Sequence, residues 1–191
     1  MPNVQNKNRC KWVGENPLMI KYHDTEWGVP THNDRKLFEF FLLDTFQAGL
    51  SWEITLNKRK GFCKAFKDFD VEKVAVFTSK DVAKLLKDTN IIRNKLKIEA
   101  TINNAKRFLE IKKGFGSFDK YIWHFTGHKT IKNKHMRDSQ LRSTSKESEL
   151  MSEDLKKRGF KFTGPTICHA FMQGTGMIND HLVSCFRYKQ V

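Results

Sequence analysis

The chain has 191 residues, 39% of them apolar, with 35 Lys plus Arg against 21 Asp plus Glu, a formal net charge of +14. No apolar run approaches a bilayer-spanning length and the polar opening Met1–Lys11 lacks the apolar centre of a signal peptide, so a membrane span is excluded and the cytoplasm is expected. The size suits one well-packed domain or two small helical lobes, and the charge points to a polyanion such as nucleic acid, with a basic surface that binds nothing as the alternative.

In chain order, Asp34 is placed to cap a helix through Leu37, Phe38, Phe40, Phe41, Leu42 and Leu43. That helix is apolar on nearly every side and is therefore expected at the centre. Asp70 precedes a short helix with Val71, Val74 and Ala75, and Ser79 another with Val82, Leu85 and Leu86. Ile98, Ile102, Ala105 and Leu109 recur at steps of 4, 3 and 4, marking one buried helical face. Ser117 opens a further turn or two with Phe118, Tyr121 and Ile122.

Residues 126–147 change character to Lys, Ser, Thr, Asn and Arg without periodicity, and read as a long exposed connection. Helix resumes over 147–158 and stops at Gly159; Pro165 after Gly164 starts the next, which Gly174 and Gly176 end. Asn179 or Asp180 is placed to cap a last helix. The one strand-like alternation, Phe160-Lys161-Phe162, is too short to define a sheet, so the fold class is all-α.

The cysteines are Cys10, Cys63, Cys168 and Cys185. With no export signal, free thiols or metal ligands are favoured over disulfides. On a helix His181 and Cys185 share a face, and with Cys10 and His23 they would make a Cys2His2 set suited to tetrahedral Zn²⁺. Such a closed site stabilises a fold and offers no activated water. Spacing alone leaves open that these are ordinary thiols and histidines. The first third also carries Trp12, Tyr22, Trp27 and Trp52, which suit either a core or a stacking pocket.

Four stretches resemble the 3-methyladenine DNA glycosylase I family of the helix-hairpin-helix glycosylase superfamily. They are Arg9-Cys10-Lys11-Trp12 through Tyr22-His23-Asp24-Thr25-Glu26-Trp27-Gly28-Val29-Pro30; Gln47-Ala48-Gly49-Leu50-Ser51-Trp52; Lys156-Lys157-Arg158-Gly159-Phe160-Lys161-Phe162 with Gly164-Pro165-Thr166; and Asn179-Asp180-His181-Leu182-Val183-Ser184-Cys185. The resemblance runs in order from about residue 9 to 188. It implies a helix-hairpin-helix glycosylase fold in which residues 1–191 form a single unit of two helical lobes, the base pocket between them. It implies one structural zinc held by Cys10, His23, His181 and Cys185, joining the chain ends. Cys63, Cys168 and His169 are then left as core or structural residues.

The resemblance further implies that Trp52 stacks on the base, that Tyr22 contacts it and that Trp12 and Trp27 shape the pocket. Met19 stands where the family usually has another aromatic. The family's base-contacting glutamate falls at Asp44, which keeps the charge but is one C–C bond, roughly 1.5 Å, shorter. On one continuous helix Asp44 and Trp52 would lie little more than two turns apart on nearly the same face. The hairpin centres on Asn90-Ile91-Ile92-Arg93-Asn94-Lys95, where Arg93, Asn94 and Lys95 would meet a DNA phosphate. Lys156, Lys157 and Arg158 are further phosphate contacts or a solvated basic helix end. The family lacks the superfamily's catalytic aspartate, so no general base is assigned.

The activity implied is bacterial base-excision repair: flipping of 3-methyladenine from duplex DNA and hydrolysis of its N-glycosidic bond by a monomer, leaving an abasic site. A zinc-stapled module that binds lesions without cleaving them is the competing reading. A zinc hydrolase is disfavoured, because four protein ligands leave no position for water.

Overall fold

Asn33, rather than Asp34, caps the central helix: its Oδ1 accepts from Lys36 N at 3.1 Å. In the computed structural model, which describes residues 7–191, that helix is α2 (Asp34–Gln47), and every residue from Leu37 to Phe46 is buried. Met1–Asn6 of the polar opening lie outside the described residues. Asp34 instead reaches across to the start of α8 (Phe118–Trp123), accepting from Asp119 N at 2.9 Å and Phe118 N at 3.3 Å. An acid read as a local cap is a tertiary tie.

Around α2 the described residues place α1 (Pro17–Thr25), α3 (Trp52–Asn57), α4 (Arg59–Ala65), α5 (Val71–Ala75), α6 (Ser79–Leu85), α7 (Lys95–Phe115), α9 (Lys146–Lys157) and α10 (Pro165–Gly174). The caps follow short-range chemistry. Asn16 caps α1 ahead of Pro17, Asp70 caps α5, Ser117 caps α8 and Gly164 precedes Pro165. Thr78, not Ser79, caps α6, in a reciprocal box with Asp81. The long helix α7 buries Ile98, Ile102 and Ala105 as its period requires. Phe108 of α7 stacks on Phe118 of α8 at 3.9 Å between ring centroids.

Two short strands join the helices, β1 (Ile131–Lys132) and β2 (Ile178–Asn179), paired in parallel with Ile131 opposite Ile178. They lie where no strand is expected from the sequence. The expected alternation, Phe160-Lys161-Phe162, is not a strand. Asn104 of α7 bonds both the N–H and the C=O of Lys161, taking the place of a neighbouring strand. No residue between 126 and 147 is buried, but β1 and the bond from Val183 N to His135 O tie this connection to the C-terminal segment.

The expected last helix does not form: His181 lies in irregular chain and Cys185 at a bend. Asn179 dictates this. Its Oδ1 accepts from His181 N, and its Nδ2 donates to Tyr188 O and Val191 O, folding the tail back on itself. Among the described residues no helix is long and apolar enough to cross a membrane.

An ion-pair network braces α1, α2 and α4. Arg59 bonds Glu26 and Glu39 at 2.7 Å each, and Lys36 bonds the same two acids. Burial pushes the Glu26 carboxyl up, but Arg59 and Lys36 overcome it and hold it at about 2. Because the folded value lies below the ordinary 4.5, this stabilisation is present above pH 4.5 and is lost as pH falls toward 2. The melting midpoint is expected to drop through that window, and Glu26→Gln, read by calorimetry against pH, is expected to flatten the drop.

Candidate active site and metal centre

Asp44 and Trp52 meet across a turn and do not share a helix. The helix α2 stops at Gln47; Gly49, at φ +76°, reverses the chain, and Ser51 caps α3 so that Trp52 is its first residue. Buried Lys97 fixes this corner, its Nζ bonding Phe46 O and Ala48 O at the end of α2. The two side chains therefore face one cleft from two helices, which corrects the single-helix spacing expected above.

That cleft holds about 200 Å³ and is lined by Trp12, Tyr22, Trp27, Asp44, Gln47, Trp52, Leu141, Ala170 and Gln173. It is smaller than the roughly 300–1,000 Å³ of sites for drug-sized molecules, which suits one small heterocycle. Tyr22 and Trp52 lie at 5.0 Å, inclined at 45°, and Trp12 meets Trp27 edge-on at 4.8 Å. All five residues expected at the base pocket are thus brought together. Met19 is buried in the core. Gln47 opens one of the stretches quoted above, whereas nothing in the sequence marks Leu141, Ala170 and Gln173; Leu141 comes from the polar connection and the last two from α10.

Asp44 is buried among these rings, and burial holds its carboxyl well above the ordinary range. Its Oδ2 has no hydrogen-bond partner, nor has Trp52 Nε1. A buried oxygen and a buried N–H without partners cost free energy, which a ligand's polar edge would offset. Tyr22 is raised as well, by burial and by Asp44.

A second cluster backs the cleft. The ligating atoms of Cys10, His23, His181 and Cys185, all buried, lie within 4.8 Å of one another and could hold a metal ion. Cys10 Sγ is 3.7 Å and Cys185 Sγ 3.5 Å from His181 Nδ1, and Cys185 Sγ is 3.5 Å from His23 Nε2. Each imidazole's outer nitrogen faces an acceptor: His23 Nδ1 lies 2.8 Å from Asp24, which Arg9 holds, and His181 Nε2 lies 3.1 Å from Trp27 O. Those acceptors place the protons outward and turn the bare nitrogens toward the sulfurs. Between the thiols, the Cys10 hydrogen bond pulls Cys185 down toward thiolate, while that bond and burial push Cys10 up. A dication at the centre would let both ionise. The cluster also touches the cleft wall, with Trp27 edge-on to His181 at 4.5 Å and Trp12 edge-on to His23 at 5.5 Å.

Arg93, Asn94 and Lys95 are exposed at the start of α7, where Asn94 Oδ1 caps the helix by accepting from Lys97 N. Lys156 and Lys157 are exposed at the end of α9, while Arg158 pairs with Asp154 at 2.7 Å. Cys168 is a buried thiol and Cys63 a partly buried one; His169 lies buried beside Asp180.

A family model described as methyladenine glycosylase matches residues 12–188. The chain is 43% identical over 180 residues to DNA-3-methyladenine glycosylase 1 of Escherichia coli K12, covering 94% of this chain and 96% of that protein. It is 42% identical over 177 residues to DNA-3-methyladenine glycosylase of Haemophilus influenzae, covering 93% and 96%. A crystal structure of 3-methyladenine DNA glycosylase I superposes with a TM-score of 0.92 at 42% identity, over 94% of this chain and 98% of that one. The Staphylococcus aureus glycosylase, in a structure concerned with 3-methyladenine recognition, gives 0.91 at 34% identity, over 94% and 96%.

Proposed function

Because the chain belongs to the methyladenine glycosylase family, we infer that it is a DNA-3-methyladenine glycosylase, which hydrolyses the N-glycosidic bond of the alkylated base and leaves an abasic site. The observation that carries this is the aromatic cleft with the buried Asp44 carboxyl in its lining, its Oδ2 without a partner. N3-methylation makes adenine cationic. A cation supplies the counter-charge that the buried carboxylate lacks, whereas undamaged adenine is neutral and would leave the desolvation cost unmet. Trp52 and Tyr22 offer ring faces that attract such a base, and Trp12 and Trp27 close the cleft.

The chemistry asks little of the protein. When the bond from the sugar C1′ to the base breaks, its electron pair passes to the ring, and the cationic base departs neutral without a proton. Water then bonds to C1′ and gives up a proton to solvent. Asp44 serves as a base reader, and no side chain is needed as general base.

We assign zinc to the cluster of Cys10, His23, His181 and Cys185. Ligand bonds of roughly 2.3 Å to sulfur and 2.0–2.1 Å to nitrogen in a tetrahedron put sulfur and nitrogen about 3.5 Å apart. Three of the sulfur-to-nitrogen separations, at 3.5–3.7 Å, fit this. With four protein ligands the ion would be structural, tying the chain ends to the cleft wall.

The partner proposed is duplex DNA carrying alkylated adenine, met by a monomer in the cytoplasm, with the cleft between two lobes. Arg93 and Lys95 are taken as phosphate contacts and Asn94 as the residue that caps the helix pointing at the phosphate. Arg93→Ala and Lys95→Ala are each expected to reduce the salt dependence of duplex binding by about one counterion, read from log K against log salt.

Chromatography of bases released from methylated DNA tests the activity. Free 3-methyladenine is expected. Intact DNA binding without free base would favour the lesion-binding module.

A further inference from the structure

Gln173 reaches the cleft from the last turn of α10, and its orientation is fixed from behind. Its Nε2 lies 2.7 Å from Asp180 Oδ2. Asp180 is almost fully buried, and its other contacts are Asn133 Nδ2 at 2.6 Å, His135 Nε2 at 3.1 Å and His169 Nε2 at 3.3 Å. An ionised carboxylate only accepts, so the Gln173 amide must present its N–H to Asp180 and cannot be turned end for end. Since Gln173 lines the cleft, the end left for a ligand is the carbonyl oxygen Oε1.

We propose that Gln173 is a specificity-determining residue whose amide oxygen accepts from the exocyclic amine of the bound base, with Asp180 as the positioning residue that holds it in that sense. The proposal rests on the glycosylase reading above and deepens it. An exocyclic amine carries two N–H bonds, and the cleft offers two acceptors, Asp44 Oδ2 and Gln173 Oε1. A purine with a carbonyl oxygen in place of the amine would set lone pair against lone pair at Gln173. A site built for a donor rejects an analogue lacking it far more strongly than one that differs only in size. The cluster therefore selects 6-amino over 6-oxo purines, a choice that stacking on Trp52 cannot make.

The second feature of the cluster is its span. Asn133 and His135 belong to the connection before α9, His169 and Gln173 to α10, and Asp180 adjoins the metal-cluster residue His181. One carboxylate thus ties the connection to the base site.

The test is a titration of the zinc-loaded protein with free 3-methyladenine and free 3-methylhypoxanthine, followed by quenching of tryptophan fluorescence from Trp12, Trp27 and Trp52. The two probes differ in the amine-for-oxygen exchange and the ring proton that goes with it. The parent is expected to prefer 3-methyladenine, and Gln173→Met to shrink that preference by about tenfold, the effect of one hydrogen bond of the strength such sites show. In Asp180→Asn the carboxylate that accepts on both oxygens is lost and the Gln173 amide is no longer held in one sense; the preference for 3-methyladenine is expected to shrink, as in Gln173→Met. Zinc content and melting of Asp180→Asn report whether that variant folds, and Gln173→Met decides alone if it does not. A parent with no preference, or a Gln173→Met variant that weakens both probes equally, would overturn the proposal. A parent that binds neither base overturns the glycosylase reading itself, and the parent titration alone shows that.

Discussion

Asp44→Asn is expected to slow release of 3-methyladenine by roughly ten- to hundredfold, the value of one hydrogen bond to a charged group, while leaving the protein as stable or more stable. Both effects come from the same burial. The carboxyl of Asp44 is raised because it is desolvated with no cation beside it. A raised carboxyl holds its proton more tightly in the folded than in the unfolded state. Its cost is therefore absent below the ordinary Asp value of 3.8, grows as pH rises through it, and is complete above the raised folded value. Asparagine carries no such cost, so the variant's advantage in melting temperature is expected to widen with pH. Asp44→Glu keeps the charge and is expected to release base faster than Asp44→Asn. If Asp44→Asn released base as fast as the parent, Asp44 would not be the base reader.

Removal of the zinc proposed for the Cys10, His23, His181 and Cys185 cluster is expected to have the larger effect on stability. Loss of a structural ion worth about 4–5 kcal/mol, at roughly 2–4 °C per kcal/mol for a chain of this size, lowers the melting midpoint by roughly 8–20 °C. His181→Ala or Cys185→Ser should reproduce this without chelator. Base affinity is expected to fall as well, since Trp27 rests on His181 and Trp12 on His23. Scanning calorimetry of the stripped protein with metal analysis checks the prediction. Inactivation with an unchanged midpoint would instead mark a metal that works on substrate.

Legibility in the sequence followed the range of the forces involved. Helices whose burial is continuous, such as α2, or periodic, such as α7, and caps made by the next residues, such as Asp70 and Ser117, could be read locally. Asp34 misled because its carboxylate serves α8, 84 residues away. The tail misled because the Asn179 side chain bonds backbone up to twelve residues on and forbids the helix its neighbours suggest. The Cys/His cluster joins Cys10 to Cys185, 175 positions away, and nothing in local spacing reveals that; the resemblance to a family did. The same limit hid Gln173 and Leu141. A glutamine in a helix and a leucine in a polar connection carry no local signal of a shared cleft. Asp44 and Trp52 were named, but the turn at Gly49 that sets them on separate helices was not.

Asp44, short as it is, is proposed to read the base against Trp52. A crystal structure with 3-methyladenine bound tests it most directly. The base is expected on the Trp52 ring with an Asp44 oxygen roughly 2.6–3.2 Å from its polar edge. A base seated elsewhere, or one seated on Trp52 that Asp44 does not touch, would contradict it.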